Sequence, residues 1–311
     1  MTDRQSLARA RAETVLKAAP DAMINPLTVL ASPAWRGVEA DIWRAQAGGA
    51  SVIVKHYHPD VTAYVDIPAA IHATGCAGDL GLGPQVLAKW SGDGMFAMAD
   101  LGEGWRAGGL HLATDAKMRA GVISVKKAFQ AGARLNKSAC IFDEIERLYA
   151  ATQQENAPLH RDAATFMEFF ARARQKIDAC GRDTAPCHRD GNTANLMIGP
   201  DGAVQLIDFD LAANCDPFED VGCYLVEFFE SDTEARPGFE EWHGRFDEGL
   251  FQRAMLYGMA DDMRWGLIGA LMAATSPRTS LEFSKYAAWR FLRLEARAKR
   301  SDAQGRIRAA A

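Results

Sequence analysis

The sequence predicts an α+β fold in two parts, a β-rich stretch over 1–102 and a mainly helical stretch over 103–311. Three observations predict it. Short apolar runs bounded by glycine turns fill the first part. Apolar residues at helical spacing dominate from about residue 115 onward. One short β excursion, between Leu196 and Ile207, interrupts those helices.

Residues 1–20 read as an amphipathic helix or a loosely held tail. The apolar run 27–31 is the first strand expected, followed by a turn over 32–37. A second strand covers 38–45, Gly48 and Gly49 mark a hairpin turn, and the β-branched run 51–54 leads into Lys55 on a third strand. Small and apolar residues at helical spacing predict a helix over 66–79, stopped by Gly81, Gly83 and Pro84. Strands at 86–90 and 95–98 follow, with a turn at 92–94, and 100–104 reads as a linker. Helices are expected around 115–135, 139–154 and 163–180. Strands at 196–198 and 204–207 flank a turn, and from Asp220 the chain is helical, with breaks near Pro237 and near Ser276 and Pro277.

Composition narrows the function classes. The chain has 311 residues, 48% of them hydrophobic and 24% charged, as in a globular protein able to bury a large core. A formal charge of −5 and the lack of a dense basic run argue against a nucleic-acid partner. The basic stretch 290–308 reads as a solvated helix face with a frayed tail. No apolar run is long enough for membrane insertion, and Thr2, Asp3 and Arg4 open the chain without an apolar signal core, so a cytoplasmic location is expected. The six cysteines form no CxxC pair, which favours reduced thiols over a metal–thiolate site. A monomer or homodimer is expected.

The stretch 187–197 carries the chemistry: Cys187, His188, Arg189, Asp190, Gly191, Asn192, Thr193, Ala194, Asn195, Leu196 and Met197. Leu206, Ile207, Asp208, Phe209 and Asp210 follow after the β excursion. An Asp, an Asn five residues on, and an Asp beyond a short hairpin form the layout that phosphoryl transfer needs. The transferred group is surrounded by negative charge, so Mg²⁺ must bridge the phosphates, and Mg²⁺ takes oxygen ligands. Asn195 and Asp208 suit that duty, and Asp190 suits that of catalytic base, accepting the hydroxyl proton or orienting that hydroxyl for in-line attack. His188 is expected to brace the loop, while Arg189 is either a surface residue or the partner of a carboxylate.

These residues resemble the aminoglycoside phosphotransferase and choline kinase superfamily, whose fold is similar to that of protein kinases. Asp210 stands where protein kinases have the Gly of Asp-Phe-Gly, which argues against a protein substrate. Asn214, Asp216, Pro217, Phe218, Asp220 and Glu227, and later Asp262, Trp265, Gly266, Phe283, Tyr286 and Arg290, are similar to the choline and ethanolamine kinases. The likeness covers roughly 25–295 and is most specific at 187–227.

The resemblance implies a two-lobed kinase with ATP and Mg²⁺ in the cleft. Lys55 resembles the strand lysine that contacts the α- and β-phosphates, the alternative being an exposed strand lysine. No Glu lies in 56–85 to pair with it, so Asp66 is its expected partner. Ser32 to Gly37 would cover the phosphates with backbone N–H groups. Backbone groups of Met98 to Asp100 would contact adenine. The acceptor is expected to be a small alcohol, choline or ethanolamine, held by aromatic faces and carboxylates. Asp210, Glu227, Trp265 and Tyr286 are its expected contacts, while Tyr224, Phe228, Trp242 and Trp289 are further aromatic candidates for which a core role competes. Asp216, Glu219 and Glu230 would make the pocket negative. Asp220 either braces the catalytic loop or caps the helix that starts at Val221. A sugar, an aminoglycoside or another metabolite remains an alternative acceptor, and a non-catalytic pseudokinase is the alternative of another class.

Overall fold

The computed structural model describes residues 3–32, 34–300 and 302–311. Helix α1 (Asp3–Leu16) opens the chain. Strands β1 (Ala22–Ile24), β2 (Ala40–Ala47) and β3 (Ala50–Tyr57) follow, then helix α2 (Ile67–Asp79), then β4 (Val86–Trp90) and β5 (Met95–Ala99). The five strands form one antiparallel sheet in the order β1-β2-β3-β5-β4. Gly48 and Gly49 both take positive φ, 55° and 84°, which lets β2 and β3 join through a two-residue turn that matches the strand twist.

Side chains alternate across this sheet. Val52, Val54, Met95 and Ala97 pack against Ala8 and Ala12 of α1. Tyr57 and Phe96 face the other way, toward α2 and the helical region. Lys55, one residue past Val54, therefore points away from α1. The first strand is not at 27–31 as expected but at Ala22–Ile24. Pro26 offers no N–H to continue that ladder, and 27–31 keeps only an isolated bridge between Leu30 and Arg36.

Beyond the sheet come β6 (Arg106–Ala107), α3 (Ala116–Gln130), α4 (Ile141–Gln154) and α5 (Ala163–Cys180). Four short strands then surround the motif region: β7 (Ala185–Cys187), β8 (Leu196–Ile198), β9 (Val204–Leu206) and β10 (Ala213–Cys215). β7 pairs with β10, and β6, β8 and β9 form a second small sheet, so the stretch 188–195 is pinned at both ends. Helices α6 (Phe218–Phe228), α7 (Asp232–His243), α8 (Glu248–Thr275), α9 (Phe283–Arg300) and α10 (Ala303–Ala309) complete the chain.

Helix α8 is buried continuously from Phe251 to Met272 and packs against α4, α6 and α9. Its crossing with α6 is close: a Cβ on Gly222 would stand 2.6 Å from the Gly258 nitrogen. The expected break near Pro237 is absent. A reciprocal capping box of Ser231 and Glu234 starts α7 upstream of the proline, and the chain turns instead at Gly244 (φ 88°). The basic stretch 290–308 is not simply a solvated face, because Arg290 and Arg306 are buried. Among the described residues no helix is long and apolar enough to cross a membrane.

Candidate active site

Between β7 and β8 the chain bends around a buried carboxylate. Asp220, in the first turn of α6, accepts from the backbone N–H groups of His188 (3.1 Å) and Arg189 (2.8 Å) and from the Lys126 ammonium (3.3 Å). Burial by itself would raise the Asp220 carboxyl, but Lys126 and these N–H groups hold it below its ordinary range. The N-cap of α6 is Pro217 and not Asp220, because the helix already starts at Phe218. His188 bridges backbone oxygens, Nε2 lying 2.9 Å from Ile207 and Nδ1 3.2 Å from Asp190. Arg189 is fully buried rather than on the surface. It takes positive φ (64°) and bonds to Glu144 and Glu219.

This frame presents Asp190 at a cavity of about 760 Å³. One Asp190 oxygen accepts from the Asn192 N–H (2.7 Å) and the other from the Asn195 amide nitrogen (2.8 Å). The Asn195 amide donates its N–H to Asp190, and its carbonyl oxygen is the atom suited to a cation. Asp208, also at positive φ (67°), and Asp210 line the same cavity.

Lys55 reaches both acids, 2.6 Å to Asp208 and 2.8 Å to Asp210. Burial pulls Lys55 toward its neutral form, but the two carboxylates outweigh it and keep the ammonium well above its usual range. Asp66 is therefore not its partner. The Asp66 carboxylate caps α2 by accepting from the Ala69 N–H (3.1 Å). Asp210 also accepts from the Tyr57 hydroxyl (2.6 Å). It thus belongs to the lysine end of the cavity and not to the acceptor end where it was expected. Burial and the neighbouring Asp208 push the Asp210 carboxyl up to about 7. Its second oxygen is buried without a hydrogen-bond partner.

Glu39, just before β2, completes this end. Its carboxylate accepts from Trp35 Nε1 (2.5 Å) and the Tyr64 hydroxyl (3.2 Å). Burial and the charges of Asp208 and Asp210 raise it to about 8. Oxygens of Glu39, Asp208 and Asp210 lie within 4.8 Å of one another. With the Asn195 oxygen this donor set is made of hard oxygens only, as Mg²⁺ requires, and the orphaned Asp210 oxygen has no other partner. These residues fit the cation.

The far end is aromatic and basic. Trp265, Tyr286 and Trp289 line it together with Glu227, Arg290, Arg293 and Arg297. The Arg290 guanidinium lies 5.4 Å from the Tyr286 and Trp289 ring centres and 5.9 Å from that of Trp265. It is held by Asp262 at 2.8 Å. Trp35 covers Tyr286 at 4.5 Å. The faces expected to cage an ammonium group are thus already in contact with an indole and a guanidinium. Glu227 pairs with Arg293 (3.0 Å).

Other expectations shift as well. Asp216 is bound to Arg253 and Tyr257, and Glu219 to Arg189, so neither gives the pocket a free negative charge. Tyr224 and Trp242 are core residues, whereas Trp289 lines the cavity. In the expected phosphate loop Ala34 and Trp35 reach the cavity, while Ser32 and Gly37 are not among its lining residues and Pro33 lies outside the described ones. Met98 sits on β5 against Ile53, and Asp100 ties that strand's exit to Ser51 (2.6 Å) and Arg44 (2.7 Å).

Sequence reasoning missed Trp35, Glu39, Tyr57 and Lys126. Trp35, Glu39 and Tyr57 are single residues on a loop and a strand and carry no periodic signal, and Lys126, on α3, meets His188, Asp190 and Asp220 only in the folded chain. Arg290, Arg293 and Arg297 did carry one, since spacings of three and four place them on one helix face.

Fold and site together define the class, a small-molecule kinase. The chain belongs to the phosphotransferase enzyme family, whose sequence profile matches residues 31–256. Among solved structures it is similar to a choline/ethanolamine kinase family protein from Mesorhizobium loti, with a TM-score of 0.80, 18% identity and 98% of both chains covered. The choline kinase LicA from Streptococcus pneumoniae is similar too, with a TM-score of 0.74 and 15% identity over 95% of this chain and 98% of that one. LicA in complex with AMP superposes at the same TM-score of 0.74, with 14% identity and the same coverage, 95% and 98%. A thermostable mutant of the aminoglycoside phosphotransferase APH(4)-Ia gives a TM-score of 0.59 at 15% identity over 93% and 97%. No curated protein matches the sequence.

Proposed function

We propose that this protein transfers the γ-phosphoryl group of ATP, as its magnesium complex, to the hydroxyl of a small molecule, with Asp190 as catalytic base. One observation carries the reading. The Asp190 carboxylate is fixed by the Asn192 and Asn195 N–H donors on the same cavity as Asp208 and Asp210, the two carboxylates that Lys55 holds. The AMP complex of LicA supports an adenine nucleotide.

Asn195 and Asp208 would hold the cation, with Asp210 beside them. Bound there, Mg²⁺ neutralises charge on the β- and γ-phosphates. Lys55 would move from its carboxylate partners to phosphate oxygens. Backbone groups of Ala34 and Trp35 would approach the phosphates, and those of Met98 to Asp100 the base. As the acceptor oxygen bonds to the γ-phosphorus, the bond from that phosphorus to the β–γ bridging oxygen breaks. ADP leaves, and Asp190 accepts the hydroxyl proton.

The similarity to choline and ethanolamine kinases supports an amino-alcohol acceptor. A second reading, an acceptor carrying an anionic group, is favoured by Arg290, Arg293 and Arg297 around the far end of the cavity. An acceptor panel with MgATP and purified protein separates them. Choline or ethanolamine well above sugars, hydroxy acids and aminoglycosides supports the first, and hydroxy acids in front support the second. If no alcohol yields a phosphorylated product while nucleotide still binds, the protein is a binding module and the kinase reading fails.

A further inference from the structure

Trp35 sits on the loop that leads from β1 to β2, yet its aromatic contacts are in the helical region. Its ring centre lies 4.5 Å from that of Tyr286, 5.4 Å from Trp265 and 5.5 Å from Phe283. It is 5% exposed and lines the same cavity as Asp190. Its backbone takes a positive φ of 41°, a conformation that a bulky L-residue adopts only when its surroundings hold it there.

Those surroundings are specific. The Trp35 N–H donates to Glu39, which lies beside Asp208 and Asp210. Tyr64 donates to the same Glu39 oxygen. The Ala34 carbonyl accepts from the Asn192 amide (3.4 Å), next to Asp190. The Arg278 guanidinium, from beyond α8, donates to the Val38 carbonyl and to Asp60. One short loop thus touches the catalytic loop, the metal-binding carboxylates and the aromatic end of the cavity.

We propose that Trp35 is the wall of the acceptor end supplied by the N-terminal region, and that its indole sets the largest acceptor the site takes. The claim rests on the reading of this cavity as a kinase acceptor site. It makes Trp35 a specificity-determining residue whose removal opens space against Tyr286 and Trp265, in line with the acceptor and away from Lys55. Loss of the indole then relaxes size selection without weakening the nucleotide.

The test uses two acceptor pairs, choline against its triethyl analogue and 3-hydroxypropanoate against its 2-phenyl derivative. These are run on wild type, Trp35→Phe and Trp35→Ala, with MgATP affinity measured by calorimetry. For whichever pair the enzyme phosphorylates, Trp35→Ala is expected to raise the kcat/KM ratio of large to small acceptor at least tenfold. MgATP affinity should stay within about threefold, and Trp35→Phe should fall between the two. A gain on the bulky member cannot come from a damaged fold. An unchanged ratio in a variant that still binds MgATP overturns the inference and leaves the kinase reading standing. No turnover of any alcohol by wild type, here or in the wider panel, overturns both.

Discussion

A carboxylate gripped at both oxygens cannot rotate freely, and Asp190 is gripped by Asn192 and Asn195. Asp190→Asn should therefore lower kcat by about 10²–10⁴-fold, the range of a positioned general base. MgATP affinity should stay close to wild type, which steady-state ADP release and calorimetry together would check. Asp66 gives the opposite kind of prediction. Since its carboxylate caps α2, Asp66→Ala should cost about 1 kcal/mol of stability and leave the KM for ATP unchanged. A raised KM with unchanged stability would restore Asp66 as the lysine partner. Its mistaken assignment has a physical cause. The actual partners of Lys55 are 153 and 155 residues away along the chain, and no local pattern announces so distant an ion pair.

At the scale of elements, Glu144 on α4 joins the catalytic loop to α8 through Arg189 and Arg264. Burial would raise its carboxyl, but the two guanidiniums outweigh burial and hold it at about 2. A carboxyl lowered on folding adds stability above its unfolded pKa, and that stability fades as pH falls from about 4.5 toward 2. The contribution is on the order of 3 kcal/mol near neutrality. In urea titrations, the stability gap between wild type and Glu144→Gln should be wide at pH 7 and should narrow below about pH 4.5. A gap independent of pH would refute this account of Glu144. The crossing of α6 and α8 makes a second test. Gly222→Ala drives a methyl against the backbone of α8 and should cost about 1–3 kcal/mol by overpacking, read as a lower urea midpoint.

For the molecule as a whole, the question is what holds the sheet region onto the helices. Asp60 accepts from Ser276 (2.6 Å) and Arg278 (2.9 Å), and Arg278 also reaches the Val38 carbonyl. Arg278→Ala unties the loop that carries Trp35 and Glu39. A several-fold fall in kcat/KM for the acceptor is expected, with a stability change of only about 1 kcal/mol, as for a partly exposed ion pair. Kinetics alongside urea melts would separate the two effects, and a stability loss without a kinetic one would remove this latch from the mechanism.

The sequence by itself determined the α+β division, the Gly48–Gly49 hairpin and the spacing of Asp190, Asn195 and Asp208. Each of these is local: a turn that needs positive φ, an apolar period, or two carboxylates and an amide within one stretch from 190 to 208. Tertiary structure alone decided the partners of Lys55, the packing of Trp35 on Trp265 and Tyr286, the place of Glu39 beside Asp208 and Asp210, and the meeting of Arg290 with Trp265. Those contacts join segments far apart in the chain, and only the closing of the sheet onto the helices brings them within hydrogen-bond or ring-contact distance.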